Sequence, residues 1–264
     1  MSQPSSIEPR IGLDMRGRPT HGHLPHLPLC LNGHGPFWFL FDTGAQGCDI
    51  SPRVIKALGV EATDGSVPLS ELRIGSLVWN DLRMGTGDTQ RIEQVLDHPI
   101  DGMLGGALMS WGKLAIRIDY PCSQSALWRS DGQPLPDAIT IQIKDHYLLV
   151  PVHVNETGPH LFLLDTGSSF CAICPELAQT LGLPLIRPTS TRGVLSILPG
   201  HDSIASSIRL AGVEARDLDI IVEPFSLTER RVGAPIVGRI GHSFLRHCTM
   251  TLDYPQQLLS LHRP

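Results

Sequence analysis

The sequence predicts a mostly β chain built as two copies of one unit, and two observations carry that prediction. The 264 residues include 26 glycines and 22 prolines but few long stretches of helical periodicity, a pattern of short strands joined by turns. A shift of 123 residues then lays the first half of the chain onto the second, the mark of an internal duplication. Pro28 falls on Pro151, Asn32 on Asn155, Gly35 on Gly158 and Pro36 on Pro159. The triplet Asp42-Thr43-Gly44 falls on Asp165-Thr166-Gly167, and Cys48 meets Cys171.

Each unit reads in the same order. A hairpin comes first, with its turn near Asn32-Gly33 or at 155–159. An aspartate closes the second hairpin strand, and a short helix follows, opened by Pro52 or Pro175 and stopped by Gly59 or Gly182. Proline suits the first helical turn and glycine the position just past the last one. Strands then run to the end of each unit. There the shift becomes 136, pairing "DGMLGGALM" (101–109) with "VGRIGHSFL" (237–245), and finally 134, pairing Asp119-Tyr120-Pro121 with Asp253-Tyr254-Pro255. The expected organisation is an N-terminal arm over 1–23, a first lobe over 24–121, a polar linker over 122–138 and a second lobe over 139–264.

Composition narrows the function. Hydrophobic residues make up 41% of the chain, enough for a substantial core. Charged residues are only 18% and the net charge is -5 with a pI near 6.2, which disfavours a nucleic-acid partner. No apolar run approaches the roughly 20 residues of a membrane span, and the start lacks the apolar core of a secretory signal. Six cysteines are too few for a disulfide scaffold at this length. A soluble, cytoplasmic protein is therefore expected.

The chemistry concentrates in two stretches, "FWFLFDTGAQG" (37–47) and "LFLLDTGSSF" (161–170). Each carries a carboxylate inward behind an apolar run, which costs free energy unless hydrogen bonds or a proton compensate. Asp-Thr-Gly turns that merely end strands account for neither the apolar lead-in nor the matched later segments. Duplicated units pack about an approximate twofold axis, so Asp42 and Asp165 are expected to face each other. Two carboxyls that close share one proton over a wide pH range. One then serves as base toward a water while the other, protonated, polarises a substrate carbonyl. Thr43 and Thr166 offer hydroxyls for bonds across the axis, and Gly44 and Gly167 allow close approach of the two loops. Ser168 in one copy stands against Ala45 in the other, so one carboxyl is expected to gain an extra donor.

The twin "DTGA" and "DTGS" loops resemble the catalytic loops of pepsin and retropepsin-type aspartic proteases, and "DGMLGGA" and "IGHSFL" resemble the apolar-apolar-glycine elements that support those loops. The resemblance runs from about Leu24 to His262. It implies a bilobal acid-protease fold of two β-barrel lobes, a cleft between them, Asp42 and Asp165 as the catalytic dyad, and a peptide or protein substrate. It implies no cofactor and no metal, and because both halves are on one chain, dimerisation is not required for catalysis. A non-catalytic peptide-binding or assembly module on the same fold is the alternative.

Two departures accompany the resemblance. From Asp42 to Arg73 is 31 residues but from Asp165 to Arg209 is 44, so the insertion falls where the family carries its flap. One flap is expected, in the second lobe around 189–203 with Thr191, Arg192, Gly193 and Val194 at its tip, while the first lobe keeps only a turn near Thr63-Asp64-Gly65. Arg239 stands where the family has an apolar residue. "CAIC" (171–174) reads as packing because no second ligand pair lies at zinc-like spacing. The histidines His21, His23, His26 and His34 read as a solvated arm.

Overall fold

The structure, a computed structural model, describes residues 11–12, 14–16, 24–192 and 197–263. Its first part runs β1 (Ile11–Gly12), β2 (Asp14–Arg16), β3 (Leu24–Leu31), β4 (His34–Phe41), β5 (Cys48–Ile50), α1 (Pro52–Leu58), β6 (Ser66–Ile74), β7 (Leu77–Thr86), α2 (Gln90–Leu96), β8 (Gly102–Leu104), α3 (Gly106–Gly112), β9 (Leu114–Asp119) and β10 (Gln124–Arg129). The second part runs β11 (Ile139–Thr140), β12 (Gln142–Lys144), β13 (Tyr147–Val154), β14 (Thr157–Leu164), β15 (Cys171–Ile173), α4 (Pro175–Thr180), β16 (Arg187–Arg192), β17 (Ile197–Leu210), β18 (Val213–Val222), α5 (Ser226–Val232), β19 (Gly238–Ile240), α6 (His242–Leu245), β20 (Thr249–Asp253) and β21 (Leu258–His262).

Three sheets organise these elements. The first lobe is a seven-stranded sheet in the order β2-β3-β4-β8-β5-β7-β6, and the second an eight-stranded sheet in the order β12-β13-β14-β19-β15-β18-β17-β16. Additional pairings of β3 with β6 and of β13 with β17 curl each sheet toward a barrel. A six-stranded sheet, β1-β10-β9-β20-β21-β11, joins the lobes, with β9 of one half beside β20 of the other. The fold is thus mostly β, two-lobed and internally duplicated.

The hairpins explain how each aspartate reaches its place. Asn32-Gly33 and Asn155-Glu156 all have positive φ, as a two-residue hairpin turn matching strand twist requires. Strands β4 and β14 then follow the same course, exposed at the turn and fully buried over their last three residues. Burying one such Phe or Leu contributes about 1.5–3 kcal/mol, so the apolar run pulls the following aspartate to the lobe interface. After it, α1 starts at Pro52 with the Ser51 hydroxyl accepting from Val54 N–H, and ends at Gly59 with φ 64°. Its twin α4 starts at Pro175 with the Cys174 sulfur accepting from Leu177 N–H, so Cys174 takes the capping place of Ser51.

Several expectations change. Residues 124–129, assigned to the linker, form β10, because Ser125, Ala126 and Leu127 are buried against β9. Residues 11–12 and 14–16 of the expected arm pair with β10 and β3. His26 is not solvated: it is fully buried in β3, its Nδ1 is bonded to Leu24 O, and its ring meets His98 edge-on. His34 is exposed, while His21 and His23 lie outside the described residues. Each unit also carries two more short helices than expected, α2 and α3 or α5 and α6, segments too short to display helical periodicity in sequence.

Candidate active site

Asp42 and Asp165 come together at the junction of the lobes. Each is the first residue past its buried strand, and its N–H is fixed by a carbonyl of the adjacent loop-supporting strand: Asp42 N donates to Leu104 O and Asp165 N to Ile240 O, both at 2.9 Å. Strands β8 and β19 reach these positions by running parallel to β4 and β14. Farther along, Gly106 N–H donates to Ala45 O, as His242 N–H does to Ser168 O, so each "DTG" loop is pinned from both ends.

The threonines lock the halves together. Thr43 Oγ1 donates to Leu164 O at 2.6 Å, and Thr166 Oγ1 donates to Phe41 O at 2.7 Å. Each hydroxyl also accepts from the opposite threonine's backbone N–H, at 3.0 and 3.1 Å. Both side chains are buried, so these four bonds are shielded from competing water.

The glycines set the separation. A Cβ on Gly44 would lie 2.4 Å from Asp165 Cγ, and one on Gly167 would lie 2.3 Å from Asp42 Cγ. No side chain fits either space, and each glycine N–H donates to the inner Oδ1 of its own aspartate, at 2.8 and 3.0 Å. Each carboxyl thus lies against the loop of the opposite half and the two act directly on each other, so a single shared proton spares the site two adjacent negative charges. Burial pushes the Asp42 carboxyl well above the usual carboxylate range, and the nearby Asp165 adds to the shift. Burial raises Asp165 too, but Arg239 first and then the Asp42 carboxyl oppose the rise. The arrangement can hold a proton on Asp42 and a negative charge on Asp165 at the same time.

The remaining predicted residues fall as follows. Ala45 and Ser168 occupy matched places, but the Ser168 hydroxyl donates to Phe170 O at 2.9 Å, so its proton goes to its own loop rather than to a carboxylate. The electrostatic inequality of the two aspartates comes instead from Arg239, whose Nε lies 3.9 Å from Asp165 Oδ2 while Nη2 lies 2.9 Å from Glu223 Oε1. Glu223, following β18, was not singled out in sequence; one lone acid after the apolar run "IIV" was its only signal. Asp49 was likewise missed. It is half-buried in β5 opposite Met103, where the second lobe has Ala172 opposite Arg239.

Thr191 and Arg192 sit at the end of β16, paired with Leu198 and Ile197 of β17; Gly193 and Val194 lie outside the described residues. Strand β18 ends at Val222 opposite His201, so the arms at 189–192 and 197–200 run on past it. The Thr191 hydroxyl donates to Glu223 Oε2. The first lobe has at the matching place a tight turn, bridged between Thr63 and Ser66. The cysteines of "CAIC" serve structure: Cys174 caps α4, and buried Cys171 exchanges hydrogen bonds with Gly241.

Known proteins place this geometry. Among solved structures, conglutin gamma, a basic 7S globulin from lupine seeds, matches with a TM-score of 0.54 at 10% identity over 97% of this chain and 95% of that one. Basic 7S globulin from soybean matches with a TM-score of 0.56 at 9% identity over 97% and 94%. At such identities the likeness is one of fold. No curated protein sequence matches the chain. The family model described as aspartyl protease matches residues 27–108 and 150–244, once for each unit. Those two segments contain Asp42 and Asp165 with their supporting strands, and by that match the chain belongs to the aspartyl protease family.

Proposed function

We propose that the protein is an aspartic endopeptidase that hydrolyses peptide bonds with a water activated by Asp42 and Asp165. The close approach of each carboxyl to the glycine of the opposite loop, in loops tied by reciprocal threonine bonds, is the observation that carries this reading. Asp165, ionised, takes a proton from water as the water oxygen bonds to the scissile carbonyl carbon. Asp42 gives its proton to the carbonyl oxygen, producing a neutral gem-diol. In the second step Asp165 passes its proton to the amide nitrogen, the C–N bond breaks, and a diol hydroxyl returns a proton to Asp42. The dyad ends as it began, with one proton, and each transfer is worth about 10²–10⁴ in rate.

The substrate in this reading is an extended peptide or protein segment in the cleft, covered by the hairpin of β16 and β17, and one chain suffices for activity. Peptide-library cleavage across pH, run beside Asp165→Asn, tests it: cleavage by the parent chain and none by the variant is expected. Equal cleavage by both chains overturns the mechanism. The globulin likeness would suit a peptide-binding module on the same fold. That reading predicts peptide binding without cleavage, and two carboxyls each set against the opposite loop are an argument against it.

A further inference from the structure

The two loops of the dyad match closely, yet among the described residues the ion pair that reaches them falls on Asp165. Arg239 lies in β19, opposite Leu163 of β14 and Ala172 of β15. The corresponding position of β8 is Met103. The side chain of Arg239 is only 17% exposed, and its Nε makes no hydrogen bond but faces Asp165 Oδ2 at 3.9 Å. Its far nitrogen is held by Glu223, which is 1% exposed and whose second oxygen is occupied by the Thr191 hydroxyl. A buried ion pair adds little to stability, since desolvation offsets much of its attraction. What it does at this depth is impose a directed field on its neighbours, because little water screens it.

We propose that Arg239, clamped by Glu223, is a positioning residue that keeps the negative charge of the dyad on Asp165 and the shared proton on Asp42. Acid and base are then assigned before substrate arrives, in a site whose backbone is nearly symmetric. The inference rests on the peptidase reading for its kinetic consequence, but not for its electrostatics.

The surrounding groups agree with the assignment. Asp165 lies within electrostatic reach of Asp42 from the loop after β4, of Glu223 after β18 and of Tyr120 after β9, whose ring lies 5.6 Å from that of His242. Cys171 of β15 lies within electrostatic reach of Arg239. Asp42 lies within electrostatic reach of Asp165, of Tyr147 of β13, which is itself influenced by Arg231 of α5, and of Tyr254 after β20. Burial holds the three tyrosines and Cys171 above their ordinary values, so they remain neutral through the range in which the dyad titrates. Arg239 acts on Asp42 too, but less than Asp165 and the Gly44 N–H do, whereas on Asp165 it is second only to burial.

The test reads each carboxyl alone, by ¹³C NMR of labelled aspartate in Asp42→Asn and Asp165→Asn backgrounds. Replacing Arg239→Met together with Glu223→Gln removes both charges and leaves no unpaired buried ion. In the Asp42→Asn background this should raise the Asp165 midpoint by about one pH unit or more. Glu223→Gln alone should lower it, because Arg239 then acts unopposed, and Arg239→Lys should leave it near the parent value. In the Asp165→Asn background the Asp42 midpoint should move less. An unmoved Asp165 midpoint in the paired variant, or equal movement of Asp42, overturns the proposal, and the opposite shift in Glu223→Gln decides the matter should the paired variant not fold. In kinetics the acidic limb of kcat/KM should move up with Asp165. Should the parent chain cleave no peptide, the peptidase reading fails while the titrations still decide the role of Arg239.

Discussion

The two lobes carry the same loop on different surroundings. Around Asp42 and Asp165 the backbone is repeated bond for bond: the strand carbonyl that accepts the aspartate N–H, the threonine that crosses the axis, and the glycine that leaves room for the opposite carboxyl. One shell farther out the copies diverge. The second lobe has Arg239 paired with buried Glu223 and a hairpin arm reaching Glu223 through Thr191. The first has Met103, a half-buried Asp49 beside Gly85 and Gly87, and only a turn at 63–66. Duplication held constant what both halves need to build one site, and left free whatever only one half has to supply.

The largest effect should be blind to that difference. Asp42→Asn and Asp165→Asn should each reduce peptide hydrolysis by about a thousandfold or more, measured as kcat/KM with folding checked by circular dichroism. A variant that kept a tenth of the parent rate would show that the two carboxyls do not act as a pair. Gly44→Ala and Gly167→Ala should come next. Each new methyl collides with the opposite carboxyl at 2.4 or 2.3 Å, and displacing a reacting group by a fraction of an ångström to one ångström costs about a hundredfold in rate. Matched losses sharpen the symmetry of the loops; a harmless substitution on one side breaks it.

Thr43→Val and Thr166→Val should each cost about 1–3 kcal/mol in chemical denaturation, because each strands a buried carbonyl and an opposing N–H. The double variant should cost less than the sum, since the four bonds form one network. A pH titration of stability separates the aspartates. Burial raises both carboxyls above the ordinary carboxylate range in the folded chain, so the folded state holds more protons than the unfolded one as pH climbs through that range. Their contribution to stability is therefore present in acid and is lost as pH rises through the folded values. Asp42→Asn should flatten this slope more than Asp165→Asn, because Asp42 is raised further. The smallest effect is at the helix caps. Ser51→Ala should cost about 1 kcal/mol, and Cys174→Ser, which writes the first-lobe residue into the second lobe, should change thermal stability by about 0.5 kcal/mol or less.

Much of this was legible in the chain. The duplication, the hairpin turns at Asn32-Gly33 and Asn155, the proline starts and glycine ends of α1 and α4, and the pairing of the "DTG" loops all depend on local residue types recurring at fixed offsets. The errors share a cause as well. The segment 122–138 looks like a connector because its residues are polar and turn-forming, yet β10 forms there because β9 presents an open edge. His26 looks solvated beside its histidine neighbours, yet β3 carries it into the fold, where its ring meets His98. The Ser168 hydroxyl sits at the expected place but is satisfied by Phe170 O within its own loop.

By itself, then, the sequence determined the mostly β class, the two units and the two aspartates behind apolar runs, since each of these is a property of residues adjacent in the chain or repeated along it. Tertiary structure alone decided that each carboxyl meets the loop of the other half and that the two are unequal. Asp165, Glu223, Arg239 and Thr191 come from four separate elements of the second lobe, and the field at a carboxyl depends on distance and on the exclusion of water, neither of which spacing along a chain specifies.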